Sequence, residues 1–494
     1  GGGLSVGTVD GLAGVATAGN GSIDVQTGAG ALTVNAGVTA GGSGGVTLTA
    51  GGAASDLTVA APVSSTSGNL MLTAGRSLSQ STAAGDLTTG GAGTISTTAA
   101  TGTLAMAAGA SDQTETGSIT ATSAGNMTVS NGSVTSTGGG NISLSSTGGS
   151  LTMGVASTSG TVTLNAGTSI ADSNGTAVDV TAGTLEATAG TSIDLNTLVG
   201  TASLTGPAGA ATTGNITLSN GGTILLREAN AGGNLSVTNS GGVLTLGTAG
   251  SQVKSGGTTT VTNSGGRADL VNVDAGGNLT VTNSGGALML GGATTSVRSG
   301  GRVKIESTDD DLEVRHLVST QAAARTVTVV DLKAAGSIWS NRVGDPAQSI
   351  EMASGRLLLQ AAGGSLGTQT RPLHVLIGAP GGSAVAIGAG GGSPVAVGDD
   401  TSGVKPEVLF SGGCIFWNAY SSCTITDTAA GAAVSELLSN PAGQEVFEAV
   451  ESQMIETLGD PSEQIEEELR LEEEEAPQDD PQKEEKLKRH PTQS

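Results

Sequence analysis

The sequence predicts an all-β fold: a right-handed parallel β-helix, or β-solenoid, with about 20–24 residues per coil, followed by a short α-helical acidic tail. Three observations carry this. First, Gly-Gly-Asn-Leu-Ser-Val-Thr-Asn-Ser-Gly-Gly from Gly232 returns as Thr-Thr-Thr-Val-Thr-Asn-Ser-Gly-Gly from Thr258 and Gly-Gly-Asn-Leu-Thr-Val-Thr-Asn-Ser-Gly-Gly from Gly276. Its anchoring valines, Val237, Val261 and Val281, are spaced by 24 and 20 residues, and Val303 follows at another 22. Second, apolar-x-apolar triplets recur inside each unit: Leu235/Val237, Leu244/Leu246 and Val253, then Leu279/Val281, Leu288/Leu290 and Val297. Two apolar residues flanking one polar residue share one face of a strand. Third, the chain holds 83 glycines, yet the six aromatic residues all lie after residue 338. A narrow core of Val, Ile, Leu, Ala and Thr needs no aromatic residue, whereas a globular core of that length does.

The elements follow in order. Ile23/Val25, Leu32/Val34, Val46/Leu48, Leu57/Val59 and Leu70/Leu72 open the series. Ile142/Leu144, Leu151/Met153, Val162/Leu164, Val178/Val180, Ile193/Leu195 and Ile216/Leu218 continue it. Glycine pairs supply positive φ at the corners, and Asn and Ser there bond the turn backbone. Residues 1–375 are thus read as solenoid, of about 17 coils and on the order of 80 Å at one strand spacing per coil. The competing reading of residues 1–226 is disorder, since Gly/Ser/Thr-rich chains are often unfolded; the phased triplets argue against it. Residues 376–428 are read as a C-terminal cap with a cysteine loop. Residues 429–475 carry short amphipathic and acidic helices, with Val446, Phe447, Val450, Met454, Ile455 and Leu458 at helical spacing. Residues 476–494, punctuated by Pro477, Pro481 and Pro491, are read as a disordered tail.

Charge is unevenly placed. Residues 1–226 hold ten acids and a single base, Arg76, while the chain from Gly431 holds eighteen acids and five bases of a total of −24. Phosphate recognition needs clustered Lys and Arg, so nucleic acid is not an expected partner; the Lys483–Arg489 run is read as a solvated tail end. No 18-residue apolar run exists, so no transmembrane helix is expected. The chain opens on Gly-Gly-Gly and shows no signal peptide, and it reads as a fragment of a longer protein.

Little in the sequence suggests an active site, and neither catalytic residues, metal nor cofactor are expected. Carbohydrate-cleaving β-helices need paired carboxylates, or acids beside Arg and Lys, projecting from neighbouring coils. The best such group is Asp309, Asp310 and Asp311 with Glu313, Arg315 and His316, and it is read as a charged loop between coils. His316 and His374 lack the partner spacing of a zinc site. The run Thr258–Thr262 raises ice binding, which needs ranked threonines on a flat face; β-propensity is the simpler account. Asn-x-Ser/Thr sequons stand at Asn20, Asn126, Asn131, Asn141, Asn174, Asn215, Asn234 and Asn278, five of them in a Gly-Asn-apolar-Ser/Thr frame. A strand-start asparagine before a Thr/Ser-rich strand explains that frame without glycosylation.

Cys414 and Cys423 are the two cysteines and enclose Ile-Phe-Trp-Asn-Ala-Tyr-Ser-Ser. An even count and close spacing favour a disulfide if the chain is exported, and two free buried thiols are the alternative. Phe410, Phe416, Trp417 and Tyr420 cluster around them. They are read as a cap on the last coil or as a contact surface.

The triplets in Gly-Gly-Asn-Leu-Ser-Val-Thr-Asn-Ser-Gly-Gly, their period and their extent over residues 1–375 resemble filamentous-haemagglutinin-like exoproteins of Gram-negative two-partner secretion, a family of large adhesins. The Cys414/Cys423 pair is similar to the C-terminal cysteine loop of the high-molecular-weight adhesins in that class, which helps hold the protein at its outer-membrane transporter. Some seventy residues follow the loop here, and the family's N-terminal secretion domain is not present in this sequence. The resemblance implies a secreted or surface-tethered, non-catalytic adhesin stalk at the bacterial cell surface. Its implied partners are an outer-membrane transporter of the two-partner type and glycans or proteins on host-cell or bacterial surfaces. The alternatives are a polysaccharide-binding or polysaccharide-cleaving β-helix and a self-associating biofilm matrix protein.

Overall fold

The computed structural model describes residues 2–410 except residues 130–131, 325–326, 342–348, 365, 368–372, 378–382, 390–394 and 400–406, with side chains described no further than residue 375. Nearly every strand belongs to one continuous parallel ladder, in which each strand pairs with the equivalent strand one coil earlier and one coil later. The sole helical turn among the described residues is the 3₁₀ turn Pro207–Gly209. One antiparallel pair, Thr8–Val9 with Leu12–Ala13, forms an exposed hairpin on the first coil.

In the N-terminal half the coil has three sides. Five-residue strands form one column: Ile23–Thr27, Val46–Ala50, Leu70–Ala74, Ile95–Ala99, Ile119–Ser123 and Ile142–Ser146, then Thr161–Ala166. Three-residue strands such as Leu32–Val34, Leu57–Val59 and Leu78–Gln80 form the second. The third runs through Val38–Ala40, Val63–Ser65 and Leu87–Thr89. Alternation along each strand does the sorting. In Val46–Ala50 the first, third and fifth side chains are buried and the second and fourth are not. Inward residues of every coil touch those of the next, so one apolar cluster runs from Val6 to Val375.

The valines of the repeated motif behave as their spacing predicts. Val237 pairs with Val261, and Val261 with Val281, all essentially without solvent exposure. The next member of that rank is Ile305; Val303 pairs with Leu279, two residues earlier. Val178 also departs from expectation, at 39% exposed, because the strand begins at Val180 and the buried residue before it is Asp179.

Between residues 180 and 231 the stack changes phase. Val180–Ala189 covers two sides of the coil without a corner loop, and Ile193–Thr205 continues through all three. Gly183 and Gly200 sit where these strands bend, and a Cβ on Gly183 would lie 2.6 Å from the Ser159 carbonyl oxygen. Beyond this fault the five-residue strands stand in the second column: Ile216–Asn220, Leu235–Asn239, Thr259–Asn263, Leu279–Asn283 and Val303–Ser307. That column counts sixteen strands from Leu4–Val6 to Gly355–Ala361. Parallel pairing continues beyond residue 375, through Ser383–Ala389 and Glu407–Phe410.

Polar side chains inside the coil stack as deliberately as the apolar ones. Asn220, Asn239, Asn263 and Asn283 are buried, and each Nδ2 donates to the Oδ1 of the next, at 3.2, 2.9 and 2.6 Å. The same amides donate to the corner carbonyls of Gly222, Gly241, Gly266 and Gly286. Ser307 takes the next place in the rank and ends it, its buried Oγ without a partner. In the N-terminal half the equivalent role falls to hydroxyls: Ser65, Thr89 and Thr158 donate to carbonyls of Gly44, Gly68 and Gly140 at 2.6–2.7 Å. A buried amide or hydroxyl costs free energy unless it is so satisfied.

Candidate functional site

The Gly-Asn-apolar frame has a structural cause. The residue before a strand is repeatedly Asn or Asp, and its Oδ1 accepts the backbone N–H of the equivalent residue one coil later. Asn69 does so for Thr94 at 3.0 Å, Asn215 for Asn234 at 2.8 Å, Asn234 for Thr258 at 2.8 Å and Asn278 for Arg302 at 2.8 Å. Aspartate serves equally: Asp56 for Ser77 and Asp86 for Ser111. The preceding glycine is fixed by the same contact, since a Cβ on Gly233, Gly257 or Gly301 would lie 2.3–2.4 Å from the asparagine Oδ1 below it. The five sequon asparagines of this frame are therefore coil-to-coil caps, while remaining exposed.

Outside, the stack presents ranks of hydroxyls. Past the fault the outward pairs are Thr217/Ser219, Ser236/Thr238, Thr260/Thr262 and Thr280/Thr282, in register over four coils. Such ranks stand about 4.8 Å apart across strands and about 6.8 Å apart along them. They are more regular than the linear sequence suggests. The next two coils replace them with Lys304/Glu306 and Asp331/Lys333, paired in register with opposite charge.

The acidic and basic group at residues 309–316 does not converge on one point. Asp311 is a cap: its Oδ1 accepts Ser337 N–H at 2.6 Å and its Oδ2 accepts Trp339 Nε1 at 3.2 Å. Asp310 bonds the Asp311 backbone, Arg315 pairs with Glu313, and His316 Nε2 meets Glu351 Oε1 at 3.0 Å. A shallow groove of about 240 Å³ passes Asn230, Lys254, Ser255 and Asp274. There Lys254, Asp274 and Arg298 stack in register with alternating sign, as ladder partners do. Among the described residues no three His, Cys, Asp or Glu side chains are grouped to hold a metal ion, and no helix is long and apolar enough to cross a membrane. Phe410 closes the last described strand, Glu407–Phe410. Cys414, Cys423, Phe416, Trp417 and Tyr420 lie outside the described residues, as do the expected acidic helices and tail.

Two acids stand in the core, Asp112 and Asp179. Asp112 occupies an inward position in register with Leu87 and Val134 and is 3% exposed. Gln80 Nε2 donates to its Oδ1 at 2.7 Å, while Gln80 Oε1 is buried without a partner. Burial pushes Asp112 up to about 7; the Gln80 bond opposes this and the Asp86 charge adds to it. The folded state thus binds this proton more tightly than the unfolded chain, whose ordinary value is 3.8. The sign follows: the contribution to stability is complete below about pH 4, declines as pH rises to about 7, and is level above. Asp112→Asn is expected to abolish that decline and to be the more stable protein above pH 7, by at most about 4 kcal/mol for a shift of this size. Urea midpoints of the two proteins across this range, with parallel slopes, would contradict it.

Sequence reading passed over a second acidic group, Asp172, Asp179 and Asp194 with Asn196, at the fault. The signal was present: an interval between apolar triplets that carries acids, in a stretch with no Lys or Arg between Arg76 and Arg227. No protein family, no curated protein and no solved structure matches this chain. What is established is therefore its class: a large parallel β-solenoid, a fold used by adhesins and other extracellular proteins.

Proposed function

We propose that the protein is the stalk of a secreted or surface-tethered bacterial adhesin, without catalysis of its own. The observation that carries this reading is the outward face. Coil after coil offers the same short hydroxyl side chains in register, with the charged residues of the C-terminal coils paired across the ladder. Such a face suits many weak polar contacts, which become effective when they are linked: apparent affinity rises by roughly 10² to 10⁴ over a single contact. In this reading the ligands are glycans or proteins on host or bacterial surfaces, and a two-partner outer-membrane transporter delivers the chain. A parallel stack, in which each coil contacts only its neighbours, folds progressively as it emerges. The 309–316 group supports the non-catalytic reading, because Asp311 serves as a cap and Glu313 is paired with Arg315.

Cells displaying the protein are expected to adhere or aggregate more than cells displaying a chain without its solenoid. Removal of residues 460–494 is expected to change this little, because like charges favour solvation over docking. Unchanged adhesion after loss of the solenoid would overturn the proposal.

A further inference from the structure

The fault in the stack gathers oxygen acceptors that no basic group neutralises. Strand Ile170–Asp172 ends on Asp172, residues 173–178 loop outward, and Asp179 returns to the core with no exposure at all. Asp172 Oδ1 accepts the backbone N–H groups of Asn174 and Gly175 at 2.6 and 3.1 Å. Asp172 Oδ2 accepts Asn196 Nδ2 at 3.0 Å, and that amide also donates to the Gly175 carbonyl. Asp179 Oδ2 accepts the Asn196 backbone N–H at 2.8 Å. Asp179 Oδ1 has no partner, and neither has the buried Oδ1 of Asn174.

Asn196 ties the two acids together, its backbone N–H to Asp179 and its side-chain amide to Asp172, and the charges of Asp172 and Asp194 act on Asp179. Burial first, then these acidic neighbours, push Asp179 up to about 7 against the pull of the Asn196 bond. Two adjacent carboxylates in a buried place need either a shared proton or a cation.

We propose that this place binds a hard divalent cation of the calcium class, held by the Asp172 and Asp179 carboxylates. The donor set is all oxygen, with no His or Cys, which suits calcium rather than zinc or copper. With only two carboxylates, the rest of the shell falls to amide or carbonyl oxygens and water, as calcium accepts and magnesium resists. The cation would fasten the 173–178 loop to Ile193–Thr205, the strand on which the columns change phase. This inference is independent of the adhesion reading.

The test uses the full chain, stripped with a chelator and titrated with calcium chloride at neutral pH by calorimetry, beside Asp179→Asn and Asp172→Asn. The acidic tail supplies weak, unspecific sites common to all three proteins, so the difference between isotherms is the readout. The expected result is one saturable site in the unaltered protein, weakened at least tenfold in both variants, with calcium raising Tm in the unaltered protein alone. Circular dichroism establishes that the variants fold; should Asp179→Asn fail to do so, Asp172→Asn, at a half-buried position, carries the comparison. Identical isotherms in the three proteins would overturn the proposal. So would a Tm that rises on acidification and ignores calcium, which would assign a shared proton to the pair.

Discussion

Gly117→Ala is expected to cost on the order of 3 kcal/mol, although it adds a single methyl group. A Cβ at this position would stand 1.8 Å from the Gly93 carbonyl oxygen and 2.6 Å from its carbon. Both obstacles are backbone, so no side-chain rotation relieves them. The strand must move, and moving it weakens the bonds that the Gly117 carbonyl accepts from Thr114 and Ser136, at 2.7 and 3.1 Å. Gly19→Ala is the control: nothing lies within 4 Å of its Cβ, and the expected change is within about half a kcal/mol. Because each coil contacts only its neighbours, the damage should be local. Hydrogen exchange should accelerate in Ile95–Ala99 and Ile119–Ser123 and leave Leu279–Asn283 protected. Equal protection throughout in both variants would show that the coils are not packed as described.

Asn263→Leu should be comparably damaging, although it places an apolar residue in an apolar core. The substitution removes a donor from Asn283 Oδ1 and from the Gly266 carbonyl, and an acceptor from Asn239 Nδ2. Each buried group left without a partner costs about 1–3 kcal/mol, so a loss on the order of 3 kcal/mol is expected. Asn234→Ala removes one bond, to Thr258 N–H, at an exposed corner, and about 1 kcal/mol or less is expected there. Thermal unfolding of the two variants should rank them in that order. The reverse order would mean that the inner amide ladder does not hold the coils in register.

The two asparagine ranks show what the sequence discloses and what it conceals. Both stand in the repeated motif, one after Gly-Gly and one before Ser-Gly-Gly. The corner position was legible, because Asn is a common turn residue, but the bond from Asn234 to Thr258, one coil later rather than in the local turn, was not. That Asn239 points inward and bonds Asn263 was not, since the bond joins residues 24 apart and depends on which coil lies above which. Alternation made the inward valines and leucines legible for the same physical reason that it misplaced Val303: a triplet names a face, and the register of stacking decides which member follows which. The fault at residues 180–205 was hidden because alternation is interrupted only briefly, at Gly183–Thr184 and Gly200–Thr201, and then resumes. The Asp172/Asp179 pair escaped notice because acids scattered along a sequence reveal nothing of their approach in space. For Cys414, Cys423 and the aromatic residues around them, only the sequence speaks.

Attachment through the repeated outward face, and not through a single site, can be measured as the adhesion of cells displaying chains shortened in register. Deleting residues 46–69 leaves Ile23 to pair with Leu70, and deleting residues 46–118 leaves it to pair with Ile119, so the ladder closes in both. Adhesion is expected to decline in proportion to the coils removed, and equally when the same number of coils is taken from residues 235–302. Complete loss on removing one short block, with no effect from any other, would contradict it.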